Sequence, residues 1–308
     1  MGRLQDLRIV DPVLTTIARG YTNADFVAEN LFPYVPITKE GGKIPAFGKE
    51  EFLLYNTERA VRGDSNRIAA ETRNSITISL TEHDLEYPVD YRESQEDIFP
   101  LQEYATYRVT KGIQLQREMM AATLAQSPSN YPSSNVLALS GTSTFSNAST
   151  DPVEVIDTCR YAMAAQIGTK PNTMIIGASA YLAIKNNPNV INRLKYTAEK
   201  IVTVDILKAI FGMQDIVVGE AVYSTDAGTT QFIWGPNVIL AYVPDKIDSK
   251  LKTPYRPSFG YTLQKSGYPM VDVYFESGYK VQLVRATDIF DVQIVGSDAG
   301  YLIANVVG

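Results

Sequence analysis

One cysteine, one histidine and one tryptophan occur in the 308 residues. A lone Cys159 excludes an intrachain disulfide. It stands at helical spacing with Val155, Ile156 and Met163, where a free thiol behaves as a small hydrophobe rather than a nucleophile. A lone His83 removes two-histidine metal sites and every Ser-His-Asp or Cys-His relay that does not use this residue. Its neighbours Glu82, Asp84 and Glu86 project to the opposite face of a strand, so a solvated strand is a better reading than a metal site. Phosphate-binding Gly-x-x-x-x-Gly-Lys-Ser/Thr, Gly-x-Gly-x-x-Gly and Cys-x-x-Cys patterns are all missing. No apolar run is long enough to span a bilayer. Met1-Gly2-Arg3-Leu4-Gln5-Asp6 leads directly into charged sequence with no signal-peptide pattern, so synthesis in a cytoplasm is expected. Clustered Lys and Arg are also missing, and the net charge is -6, which argues against a surface that grips nucleic acid.

What the chain has is apolar mass and tyrosine. Its hydrophobic content of 45% can bury one large core or two moderate ones. The 19 tyrosines offer large apolar bodies with polar tips, suited to surfaces wet in one state and buried in another.

Two short helices are expected within residues 1–36. One follows the Asp11-Pro12 cap and carries Val13, Leu14 and Ile17; the other starts near Asn23, carries Phe26, Val27 and Leu31, and ends at Pro33. Neither is long enough to be stable alone, so each must dock on something. Residues 37–92 lack helical periodicity and are rich in charge. Ile76, Ile78 and Leu80 alternate with Thr77 and Ser79, the pattern of a half-buried strand. Together they read as a long charged β-hairpin with little core of its own.

Residues 100–126 form the clearest helix, with Leu101, Ala105, Val109, Ile113, Gln116, Met120 and Leu124 on one stripe. Asp151-Pro152 caps a further helix that Gly168 ends. Thr173 to Ile176 reads as a buried strand, Ala178–Asn186 and Val204–Phe211 as helices, and Ile216 to Val218 as a strand core. Gly235-Pro236-Asn237 reads as the turn of one hairpin and Ser277-Gly278 as that of another. Asp291 to Val295 and Leu302 to Val307 are the last strands. The acidic group Glu93, Glu96 and Asp97 could serve acid–base chemistry. Carboxylates before a helix need no such role, because the helix dipole favours them there, and that reading is preferred.

This order of arm, charged hairpin, long helix, compact α/β region and terminal strands resembles the major capsid protein of tailed bacteriophages, with its Hong Kong 97-type fold. Phe26-Val27-Ala28-Glu29-Asn30-Leu31-Phe32-Pro33 looks like the arm leading into the family's extended loop. Asn187-Pro188-Asn189-Val190 with Arg193-Leu194-Lys195-Tyr196-Thr197, and Ile206 to Gly212 followed by Ile216-Val217-Val218-Gly219, resemble runs of its axial domain. So do Phe232-Ile233-Trp234-Gly235 and Val238 to Val243.

The resemblance implies an α+β chain in five parts. These are an N-terminal arm at 1–36, an extended loop and adjoining strands at 37–92, and a peripheral domain with its spine helix at 93–172. An axial domain at 173–265 and C-terminal strands returning to the peripheral domain at 266–308 complete it. It implies a structural protein with no catalytic residue, cofactor, metal or membrane contact, assembling as hexamers and pentamers of an icosahedral head around double-stranded DNA. Implied partners are sister copies, a portal protein and a separate scaffolding protein, with room for a decoration protein. Assembly is expected in the bacterial host cytoplasm and residence in the virion capsid. Val13, Ile17, Phe26 and Leu31 are expected to meet neighbouring subunits, because their apolar faces are too small to order the arm unaided. Arg59, Arg62, Arg67 and Arg73 are expected to meet acidic patches there. Two alternatives are a cellular encapsulating compartment of the same fold and, in a different class, a soluble hydrolase using Glu93, Glu96 or Asp97.

Overall fold

The computed structural model describes residues 26–46, 54, 57–59, 65–67, 75–96, 101–194, 202–224, 228–244 and 254–308. The described chain opens on a single helical turn, α1 (Ala28–Leu31), followed by strand β1 (Tyr34–Ile37). Strands β2 (Gly41–Pro45) and β3 (Ser75–Ser79) pair antiparallel and form the base of the charged hairpin. Its tip lies mostly outside the described residues.

A five-stranded sheet is built around β13 (Val281–Ile294). On one side β13 pairs antiparallel with β11 (Gly260–Lys265) and β12 (Met270–Glu276). On the other it pairs antiparallel with β4 (Thr81–Asp90). β1 joins the outer side of β11 in parallel, with Tyr34 opposite Thr262. The β12–β13 connection is the hairpin expected around Ser277-Gly278, with Glu276 opposite Val281. After the short helix α2 (Tyr91–Glu96), the long helix α3 (Leu101–Gln126) packs across β4 and β13.

A second five-stranded sheet has the order β5-β14-β10-β6-β7, from β5 (Val136–Ala138), β14 (Gly300–Ala304), β10 (Val238–Ala241), β6 (Thr173–Gly177) and β7 (Asp215–Gly219). Helices α4 (Pro152–Ile167), α5 (Ala178–Asn186), α6 (Pro188–Leu194) and α7 (Val204–Phe211) surround its core of Ile156, Met163, Ile176, Leu207 and Phe211. Local chemistry explains the helix ends. The Asp151 carboxylate accepts from Val153 N–H at 3.0 Å, and Gly168 closes α4 at φ 68°, a conformation that costs glycine little. Thr203 caps α7, and Gly212 closes it at φ 57°.

Four expectations need correction. Phe232 and Val238 do not belong to one hairpin. β9 (Thr230–Phe232) pairs with β8 (Val222–Ser224), while β10 lies between β6 and β14. The Gln126 side chain replaces the missing ladder, accepting from Gly235 N–H at 2.7 Å and Asn237 Nδ2 at 2.8 Å and donating to the Ile233 carbonyl at 3.0 Å. Second, the buried stripe of α3 changes face. Ala105, Val109 and Ile113 are buried as expected, but Gln116 is exposed and Glu118, Ala121, Ala122 and Ala125 are buried instead. The N-terminal half of α3 meets the first sheet; the C-terminal half meets α1 and the Trp234 turn.

Third, β4 is largely exposed, as expected, but His83 is not among its solvated residues. It is partly buried, and its ring stacks on Phe290 with centroids 4.3 Å apart. Fourth, Leu31 is wholly buried within its own subunit beside Phe32 and is not available to a neighbour. The strand pairing also crosses the expected boundary at 265/266. β11, before it, joins the first sheet, and β14, after it, joins the second.

Candidate functional site

Three stretches far apart in sequence converge on one carboxylate. Glu118, buried in the middle of α3, accepts from Val27 N–H at 3.0 Å, Ala28 N–H at 2.9 Å and Trp234 Nε1–H at 2.6 Å. The two backbone groups stand at the start of α1, where no intrahelical acceptor exists for them. Burial raises the Glu118 pKa above the ordinary carboxyl value, and the three hydrogen bonds and Arg117 partly offset that effect.

Arg117 turns to the other side. Its guanidinium lies 4.6 Å from the Tyr34 ring centroid, a cation–π arrangement that clasps β1. Burial lowers its pKa, opposed by the charges of Asp288, Glu29 and Glu118. Asp288 of β13 is itself buried and accepts from Gln264 Nε2 at 2.8 Å. Burial raises its pKa, and the Gln264 bond and Arg117 pull it back. Adjacent residues of α3 thus tie down the two halves of the segment Phe26–Ile37, one by hydrogen bonds and one by charge over a ring. Phe26 packs against the main core, with Lys111 Nζ 5.5 Å from its ring centroid.

The outer face of the first sheet carries a second charged system. Glu86 of β4, Arg285 of β13 and Asp272 of β12 lie in one cross-strand row. The Tyr274 hydroxyl donates to Glu86 at 2.8 Å. Glu82, Asp84, Asp90 and Glu276 share this face by register, so Arg285 stands among acids.

The sequence-expected contact residues fall unevenly. Arg59 and Arg67 are exposed, as an interface role requires. Val13, Ile17, Arg62 and Arg73 lie outside the described residues. Phe26 and Leu31 come together at the arm base, but against their own subunit. Glu118, Arg117, Asp288 and Trp234 went unread as a group. The available signal was a charged residue at the same helical spacing as Ala121, Ala122 and Ala125. Cys159 is buried, and burial raises its thiol pKa to about 11, so it is held protonated and unreactive. Glu93 lies exposed on α2, and Asp97 is outside the described residues. Among the described residues no group of three His, Cys, Asp or Glu is placed to hold a metal ion.

The sequence model of the family described as phage major capsid protein E matches residues 26–274. The chain belongs to this family of phage capsid proteins. It is 54% identical over 308 residues, the full length of both chains, to the major capsid protein of Burkholderia phage BcepMu. A crystal structure of a phage-related protein from Bordetella bronchiseptica RB50 superposes with a TM-score of 0.81 at 33% identity, covering 97% of this chain and 98% of that one. The capsid of Cyanophage P-SCSP1u shares the fold alone, with a TM-score of 0.57 at 11% identity over 91% of this chain and 88% of that one. The architecture is therefore the Hong Kong 97-type capsid fold, and this capsid protein is a structural shell subunit of a phage head rather than an enzyme.

Proposed function

We propose that copies of this chain assemble as hexamers and pentamers into an icosahedral head that encloses double-stranded DNA. The single observation that carries the reading is the end-to-end likeness to a named phage major capsid protein. In this reading the first sheet with α3 is the peripheral domain, and the second sheet with α4–α7 is the axial domain. Residues before Phe26 form the arm, and the segment between β2 and β3 forms the extended loop.

Both segments gain their order from sister copies. Val13, Ile17 and the exposed part of Phe26 meet neighbouring subunits, and Arg59, Arg62, Arg67 and Arg73 meet acidic surface there. Such rim charges select the partner and register more than they add affinity, and a closed shell repeats each weak contact many times. A net charge of -6 suits an inner wall that contains DNA without holding it. Assembly in the host cytoplasm uses a separate scaffolding protein and a portal, and the finished surface admits a decoration protein.

Electron microscopy of the purified full-length protein tests this. Rings or closed particles are the expected result. A stable solitary subunit that forms neither under any assembly condition overturns it.

A further inference from the structure

We propose that Glu118 is a positioning residue that couples docking of the arm base to the seating of Trp234, so that the two engage and release together. The coupling follows from how few acceptors serve how many donors. Glu118 has two oxygens. Oε2 takes Ala28 N–H, and Oε1 is shared between Val27 N–H and Trp234 Nε1–H. An indole nitrogen can only donate, and the first backbone N–H groups of a helix have no partner inside it. Lifting the arm base strips the carboxylate of two of its three donors. A buried carboxylate left with one donor is destabilised; it either takes up a proton or turns toward water or another donor, and in each case its bond to the indole is weakened or lost. Moving Trp234 has the reciprocal effect on Val27.

Trp234 in turn is wedged into the second sheet. A Cβ built on Gly219, at the end of β7, would stand 2.4 Å from Trp234 Cδ1. A Cβ on Gly177, at the end of β6, would stand 2.9 Å from the Trp234 carbonyl oxygen and 1.8 Å from that of Gly235. A shift of the ring therefore bears on the end of the edge strand β7, and a shift of the Trp234–Gly235 backbone bears on the end of its neighbour β6. The chain of contact runs from the arm base through α3 into the second sheet. Equilibrium coupling of this kind is reciprocal, so each end reports on the other. The inference concerns one subunit and stands whether or not the shell geometry proposed above is right.

Trp234 is the only tryptophan, so its emission reports this site alone. The test uses the full-length chain in three variants. Phe26→Ala loosens the arm base and is expected to move Trp234 emission to longer wavelength. Trp234→Phe removes the indole donor and is expected to speed amide exchange at Val27 and Ala28 by about tenfold, the size of effect that loss of one charge-assisted bond allows. Glu118→Gln is expected to do both. A stabilising residue without the coupling role would lower the melting temperature and leave the two readouts unlinked. Should Glu118→Gln not fold, the other two variants decide. Free exchange at Val27 and Ala28 in Phe26→Ala with unchanged Trp234 emission overturns the proposal. So does unchanged exchange at these amides in Trp234→Phe.

Discussion

Arg285 grips Asp272 through two hydrogen bonds, Nε to Oδ1 at 3.1 Å and Nη2 to Oδ2 at 2.6 Å. The pair is a fork on a carboxylate, and Arg285 also reaches Glu86 at 3.6 Å. It thus ties both flanking strands to β13. Its guanidinium pKa is raised, first by the Asp272 bond. Arg285→Lys keeps the charge but loses the fork, so a destabilisation of about 1 kcal/mol is expected. Asp272→Ala leaves a partly buried guanidinium short of its best acceptor and costs about 2 kcal/mol. Urea denaturation of the two variants against the parent chain measures both; equal stability of all three contradicts the role.

Glu118 and Asp288 set a pH dependence of definite sign. Each has a folded pKa raised by burial. A carboxyl with a raised folded pKa binds more protons folded than unfolded, so its contribution worsens as pH rises from the ordinary carboxyl range through the raised value. Asp288→Asn removes one such group. It is expected to narrow the stability difference between mild acid, about pH 5, and neutral solution. Chemical denaturation at both pH values checks this, and a pH slope identical to that of the parent chain goes against it.

Glycine is required where strand ends meet the Trp234 turn. Gly177→Ala drives a methyl into the Gly235 carbonyl, a backbone atom that cannot rotate away. A loss of about 3 kcal/mol or more is expected, seen as little soluble protein. Gly219→Ala meets the Trp234 ring instead, and a side chain can yield, so about 1–3 kcal/mol is expected. The order of the two melting temperatures is the decisive readout.

Charge reversal separates folding from assembly. Arg59 and Arg67 are exposed. Arg59→Glu with Arg67→Glu is expected to leave subunit stability within about 0.5 kcal/mol per site, as surface changes do. Shell yield in electron micrographs is expected to collapse. Normal shells from this double variant remove Arg59 and Arg67 from the proposed interface.

Asp151 carries two duties at the start of α4. It caps Val153 N–H, and its second oxygen accepts from Arg193 Nη2 at 2.6 Å. Asp151→Ala is expected to cost about 1–2 kcal/mol, and Asp151→Asn less, because the amide oxygen still caps. Thermal melts of both distinguish capping from pairing.

What was legible in the sequence was local. Asp151-Pro152 and Gly168 mark α4 to the residue, because capping acts across four residues; α7 was legible as Val204–Phe211, and the structure adds its Thr203 and Gly212 caps. The Glu118–Trp234 bond spans 116 positions and the Thr262–Phe32 bond spans 230. No periodicity encodes such meetings. The hairpin expected at Gly235-Pro236-Asn237 failed for the same reason: Gln126, more than a hundred residues earlier, holds that turn. The arm base misled differently. Its apolar faces are small, as expected, but α3 supplies a carboxylate for the orphan backbone donors of α1 and a cation for Tyr34, so Phe26–Ile37 docks at home.

β14 enters the second sheet between β5 and β10, with β6 and β7 beyond. β5 therefore has no ladder until a strand lying more than 150 positions later is in place. A chain that stops short of Gly300 can still pair β10 with β6 and β6 with β7, but it leaves β5 without a partner strand and one edge of β10 open.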